Sequence, residues 1–181
     1  ARPHYDPPEL SYATGKAHDL NIYLEFMKAQ ITELLSNYGP IAAIWLDGIN
    51  TPRQGDVDAF NCQELYDLVH SLQPQVLLSY KDGLLGTEDF YSPEECWDVS
   101  KLSDDRPTEV CGCLLKGSWG YNPDCEVKTV DEVWKQLTES WGKGHNFLLN
   151  TGPCPDGSIN LPEKAVLLQI GERLRTEGFP G

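Results

Sequence analysis

Short apolar runs alternate with amphipathic helical stretches along this chain, and the alternation predicts an α/β fold with a parallel sheet. Three observations carry that prediction. The run Ile41-Ala42-Ala43-Ile44-Trp45-Leu46 is apolar at successive positions, as a strand covered on both faces requires. Runs of this kind recur at residues 76–80, 110–115 and 146–150, with a helical period between or after them. The residues with chemical potential follow strand ends: Asp47, the segment 81–109, and the pair Trp119 and Tyr121. In a (β/α) barrel of the TIM type, that carboxyl-terminal edge carries the site. The chain has 181 residues, short of the ~250 of a complete eight-stranded barrel. The expectation is therefore one domain over residues 1–181, holding about four βα units, a half-barrel.

Each element has its own signal. Residues 1–18 are polar and proline-rich and read as a loop or arm. Asp19 is the N-cap of a helix over 20–37, with Ile22, Tyr23, Phe26, Met27, Ile31, Leu34 and Leu35 on its inner face and Gly39 ending it. The first strand occupies 41–48. A polar loop over 49–58 leads to a helix over 60–72, where Leu65, Leu68 and Val69 face inward and Pro74 follows. The second strand is 76–80. Residues 81–107 form a long, acidic, irregular segment, and a loop of such length usually has a function or is mobile.

The third strand, 110–115, leads into the aromatic loop 118–123. A third helix begins near Thr129, capped by Thr129 or Asp131, and closes at Gly142 and Gly144. Its Trp134 and Trp141 are expected in the core. The fourth strand is 146–150. Pro162 opens the last helix at the position proline favours, and Gly178 ends it.

Charge narrows the function. The net charge is -14 and the pI about 4.5. No basic patch attracts nucleic acid, and an acidic surface is repelled by phosphates and anionic membranes. No apolar window approaches the ~18 residues of a membrane span. The first residues lack the pattern of a signal peptide. Six cysteines, at 62, 96, 111, 113, 125 and 154, are scattered and expected to be free thiols. Cys111-Gly112-Cys113 is spaced too closely for zinc, and the four histidines are dispersed, so neither a metal nor a cofactor is expected.

Glycoside hydrolysis with retention uses two carboxyl groups, one attacking the anomeric carbon and one moving the proton. Asp47 is the attacker in this reading. Its plainer role is to cap the turn at Gly48. Glu88, Asp89, Glu94, Glu95 and Glu109 are the possible proton donors, and a solvated acidic loop accounts for most of them. Glu94 has Phe90, Tyr91 and Trp97 nearby, the apolar setting that favours a protonated acid. Trp45, two residues before Asp47, shares its face of the strand. With Trp119 and Tyr121 it offers aromatic faces for sugar C–H surfaces.

Several stretches together carry a resemblance. Tyr38-Gly39-Pro40-Ile41 through Ile44-Trp45-Leu46-Asp47-Gly48, with the preceding Gln30-Ile31-Thr32-Glu33-Leu34-Leu35, resembles the nucleophile strand of the α-L-fucosidases of glycoside hydrolase family 29. Glu109-Val110-Cys111 leading to Ser118-Trp119-Gly120-Tyr121 resembles a loop of that family. Gly144-His145-Asn146-Phe147-Leu148-Leu149-Asn150-Thr151-Gly152-Pro153 resembles its Gly-Asn-Leu-Leu-Leu-Asn-x-Gly-Pro signature.

The resemblance implies a retaining, exo-acting hydrolase releasing terminal α-L-fucose from fucosylated oligosaccharides or glycoconjugates. Asp47 matches the nucleophile. Glu94 is the chosen acid/base, with Glu109 as runner-up at a second acidic position of the pattern. Trp45 and Trp119 match positions lining the fucose pocket. The family's first half, with its early strands and fucose-binding histidine pair, has no counterpart here, and neither does its C-terminal β-domain. Where some members carry an arginine after the second strand, this chain has Lys81-Asp82. Four strands expose two edges, so association with a second copy or a complementing chain is expected. The readings that compete with hydrolysis are a non-catalytic remnant that binds fucosylated glycans weakly and a different barrel glycosidase.

Overall fold

The computed structural model describes residues 19–47, 60–81, 83–94 and 105–179. The element order is α1 (Leu20–Asn37), β1 (Ala43–Leu46), α2 (Cys62–Leu72), β2 (Leu77–Tyr80), β3 (Glu109–Cys113), α3 (Val130–Gly142), β4 (Asn146–Asn150) and α4 (Leu161–Glu177). The fold is α/β, and both of its strand pairs are parallel. The chain divides into two compact units, Ala1–Phe90 and Tyr91–Gly181. The expected arm at 1–18, the loop 49–58, Gly48, Asp82, Glu95, Cys96 and Trp97 lie outside the described residues.

In the first unit, Asp19 caps α1 as its position predicts, accepting the Asn21 N–H at 2.9 Å. Leu24, Ile31 and Leu35 of α1 pack with Leu65, Tyr66 and Val69 of α2 and with Val76, Leu78 and Tyr80. Ile22 and Leu34, expected on the inner face of α1, are exposed. The buried stripe of this helix is narrower than its apolar sequence. β1 and β2 pair with Ala43 opposite Leu77 and Leu46 opposite Tyr80, and Phe90 bridges to Ser79.

β1 is shorter than its apolar run, because the Ile41 N–H is taken by the Gln73 side chain at 2.9 Å and stays out of the ladder. Gln73 also donates to the carbonyls of Leu35 and Gly39, tying the end of α1 to the end of α2. Nor is β1 buried on both faces as its sequence suggests. Ala43 and its partner Leu77 are both exposed, since among the described residues nothing covers their side of the pair.

Glu88 is buried just beyond β2. Its carboxylate accepts the N–H groups of Leu84, Leu85 and Gly86 at 2.8–3.0 Å and the Tyr66 hydroxyl at 2.8 Å. Burial alone would raise its pKa, but these donors outweigh it and hold the carboxyl below the ordinary glutamate value.

In the second unit, β3 pairs with β4, Glu109 opposite Asn146 and Cys113 opposite Asn150. The stretch around Glu94, read from sequence as irregular, is extended. Tyr91 bridges Thr108 and Glu94 bridges Cys111, both in parallel. The Cys111 N–H donates to the Pro93 carbonyl and the Glu109 N–H to that of Tyr91, each at 2.8 Å. Thr129, not Asp131, caps α3, in a reciprocal capping box with Glu132. Asn160 caps α4, with Pro162 in its first turn.

Leu114, Val133, Val166 and Ile170 form the core of this unit. Trp134 lies against that core beneath the Arg173 guanidinium, 4.1 Å from the ring. Trp141, expected in the core, is instead 49% exposed and packs on Phe179 at 5.2 Å. It follows Ser140, the buried residue of that turn, and so falls on the outer side of α3. Cys62, Cys111 and Cys113 are buried free thiols, and Cys125 and Cys154 are half-buried free thiols. No helix among the described residues is long and apolar enough to cross a membrane.

Candidate active site

Two groups of candidate residues lie along or just after parallel strands, one in each unit. In the first, Asp47 directly follows β1 and is exposed, as a group that meets ligand must be. The Lys81 ammonium, from the residue directly after β2, lies 3.4 Å from Asp47 Oδ1. The same ammonium sits 5.0 Å from the centre of the Trp45 ring. Parallel pairing produces this cluster. Trp45 stands opposite Ser79 and Leu46 opposite Tyr80, so the next residues of both strands emerge together. Trp45 is half-buried, and among the described residues its indole N–H has no acceptor.

Lys81 departs from the resemblance, and the structure places it against both Asp47 and Trp45. Its φ is +41°, a left-handed conformation in a residue with a side chain. Such a conformation costs roughly 1–3 kcal/mol and tends to occur where a site needs it. The side chain is only 13% exposed, and its ammonium is held against an indole face. A lysine placed directly after a strand that runs beside the Asp47 strand was the signal available in the sequence.

In the second group, Glu94 is half-buried and extended beside β3. Glu109, at the start of β3, accepts the Asn146 side-chain amide at 2.5 Å. It thus stands at the amino end of its strand, away from the carboxyl-terminal loops of that pair, which weakens its claim to the site. Trp119 and Tyr121 lie beyond β3 on an exposed turn, at 46% and 42% exposure. The Asn150 side chain, at the end of β4, donates to the Trp119 carbonyl at 2.8 Å. Ser118 closes the turn through the Gly120 carbonyl at 2.9 Å.

Gly152 is buried against this turn. A Cβ there would lie 2.5 Å from Gly120 C and Tyr121 N. Only glycine permits that approach of two backbones. Glu163, fully buried in the first turn of α4, accepts the Thr151 hydroxyl at 2.6 Å and the Gly152 N–H at 3.4 Å. Sequence reading passed over Glu163. The pattern Asn160-x-x-Glu163, with proline between, was the capping signature that marked it.

Parallel strands with helices between them, and an acid and an indole at the end of the first strand, define an α/β fold of the kind that carries its site at the strand ends. The chain belongs to the alpha-L-fucosidase family, whose model matches residues 2–179. It is 26% identical over 173 residues to Alpha-L-fucosidase 1 of Arabidopsis thaliana, covering 83% of this chain and 34% of that protein. It is 30% identical over 155 residues to the plasma alpha-L-fucosidase of Homo sapiens, covering 64% of this chain and 33% of that protein.

Among solved structures it is similar to alpha-L-fucosidase isoenzyme 1 from Paenibacillus thiaminolyticus. The TM-score is 0.77 and the identity 31%, over 91% of this chain and 42% of that one. It is also similar to alpha-L-fucosidase AlfC from Lactobacillus casei in complex with alpha-L-fucose product. Here the TM-score is 0.68 and the identity 27%, over 88% of this chain and 48% of that one. The chain spans about a third of the length of these curated relatives.

Proposed function

We propose that this chain forms part of a (β/α) barrel of the TIM type that acts as a retaining, exo-acting α-L-fucosidase on fucosylated oligosaccharides or glycoconjugates. Asp47 is the nucleophile and Glu94 the acid/base. Glu109 is the alternative acid. Trp45, Trp119 and Tyr121 supply the aromatic faces. The observation that carries the reading is the cluster of Asp47, Trp45 and Lys81 at the end of β1, in a chain of this family.

In the first step an Asp47 carboxylate oxygen attacks the anomeric carbon. The bond to the leaving oxygen breaks, and Glu94 gives that oxygen its proton. In the second step Glu94 takes a proton from water as the water oxygen attacks the same carbon, releasing fucose and freeing Asp47. Double displacement of this kind places its two carboxyl groups about 5–5.5 Å apart and uses no cofactor. Lys81 holds the free Asp47 carboxylate oriented before it attacks and faces the charge that returns when the second step frees it. A second copy or a complementing chain closes the sheet. The exposed strand residues Leu77 and Leu148 support that part of the reading.

Hydrolysis of an aryl α-L-fucoside tests the proposal. Asp47→Ala should lose at least a thousandfold in rate, and azide should restore turnover from the vacated face. Retention of the parent rate would remove Asp47 from the mechanism. Binding of L-fucose without turnover, unmoved by Glu94→Gln, would mark a non-catalytic glycan binder instead. A native mass of one chain at micromolar concentration would overturn the association.

A further inference from the structure

We propose that Glu163 is a positioning residue for the aromatic turn at 118–121, acting through Thr151 and Gly152. Two attachments of the turn outside its own segment are seen among the described residues. The Asn150 amide holds the Trp119 carbonyl at 2.8 Å, and the Gly152 backbone lies directly against the Gly120–Tyr121 peptide. The second attachment works only if Gly152 stays at its present height, because there is no side chain to absorb an error. Glu163 sets that height. Its Oε2 takes the Thr151 hydroxyl at 2.6 Å and the Gly152 N–H at 3.4 Å, while its Oε1 takes the Asn160 side-chain amide.

The carboxylate is fully buried and anchored by the first turn of α4, where its own N–H donates to Asn160 Oδ1 at 2.9 Å. A rigid helix end thereby fixes a loop, and the loop fixes the turn carrying Trp119 and Tyr121. A capping role needs only the bonds to Asn160. The bonds to Thr151 and Gly152 reach out of the helix and are the ones that define position. The consequence for sugar binding rests on the proposed function. If Trp119 and Tyr121 line the sugar, loosening this linkage weakens binding and leaves the chemical step largely intact.

The experiment uses the full chain labelled with 5-fluorotryptophan, with the Trp119 resonance assigned by loss in Trp119→Phe. Thr151→Val removes the hydroxyl that Glu163 accepts and leaves the bonds to Asn160 in place. It should shift or broaden the Trp119 resonance and raise KM for an aryl α-L-fucoside five- to tenfold, with kcat within twofold. Thr151→Ser should restore both. Glu163→Gln should move the Trp119 resonance in the same direction, and the double variant Glu163→Gln, Thr151→Val should move it no further.

An unmoved Trp119 resonance in a folded Thr151→Val chain would overturn the proposal, leaving Glu163 as a cap alone. A moved resonance with unchanged KM in an active chain would overturn the link to sugar binding. A parent chain that neither binds nor hydrolyses the fucoside would sink the hydrolase reading, while the fluorine resonance would still decide the role of Glu163.

Discussion

The Lys81 ammonium stands 3.4 Å from Asp47 Oδ1, although the two residues follow different strands. Their meeting depends on the parallel register of β1 and β2, and on a left-handed turn at Lys81. Asp47 is 64% exposed, and an ion pair with a solvated partner contributes roughly 0–1 kcal/mol, less than the strain at Lys81 costs. In the proposed mechanism the conformation serves to orient the carboxylate. Lys81→Met should lower kcat/KM for an aryl α-L-fucoside by about ten- to a hundredfold, the range of a lost preorganised contact. Lys81→Arg should retain most of the activity. Initial rates decide it, and a change within twofold in Lys81→Met would leave Lys81 without a catalytic part.

The buried Glu88 makes stability depend on pH. Its folded pKa lies below the ordinary 4.5. A depressed carboxyl contributes stability that is present above the unfolded value and is lost as pH falls through the folded one. Glu88→Gln loses the charge and leaves the N–H groups of Leu84, Leu85 and Gly86 a poorer acceptor. It should cost about 1–3 kcal/mol at neutral pH. Urea melts at pH 7 and below pH 4 should show that gap closing toward acid. A constant gap would mean that the charge of Glu88 contributes nothing.

Cysteine reactivity should divide by place. Burial, and next the nearby Glu88 charge, push the Cys62 thiol up to about 11. At pH 8 it should resist iodoacetamide in the folded chain, while the half-buried Cys125 and Cys154 label before it. Mass spectrometry of timed digests reads this directly. Early labelling of Cys62 would contradict the packing around Tyr66.

Gly152→Ala places a methyl group 2.5 Å from the backbone of the aromatic turn. Backbone cannot step aside as a flexible side chain can, so overpacking should cost about 1–3 kcal/mol. For a chain of this size, each kcal/mol lowers Tm by about 2–4 °C. Thermal melts followed by circular dichroism test it. Ala at Gly142, where a Cβ meets nothing within 4 Å, is the control and should melt within 1–2 °C of the parent by the same scaling.

Helices and the last strand were the legible parts of this sequence. Asp19, Thr129 and Pro162 mark their helix starts by chemistry that acts locally. β4 runs over the residues its pattern indicates. What could not be read depended on distant partners. The apolar pattern gives no hint that Gln73 withdraws Ile41 from β1. The extended run at Tyr91 and Glu94 is hidden because its bridging partners, Thr108 and Cys111, break any simple apolar alternation. Trp141 reads as core by composition but lies on the outer side of its helix. In the candidate site, the pairing of Trp45 with Asp47 followed from strand periodicity. Lys81 and Glu163 carry local signals, a lysine after β2 and a capping pattern at Asn160, but those signals do not say which residues they meet.

Gln73 has a larger meaning than its hydrogen bonds suggest. No hairpin indexes β1 against β2, since parallel strands share no tight turn. One amide, bonded at once to Leu35, Gly39 and Ile41, marks where β1 enters its ladder. Were that entry point to slide by one residue, every side chain along β1 would exchange faces. Trp45 would turn away, and Leu46 would offer its isobutyl group where an indole and a carboxylate now stand. The proposed reaction centre at one extremity of the strand is thus aligned by a neutral glutamine at the other.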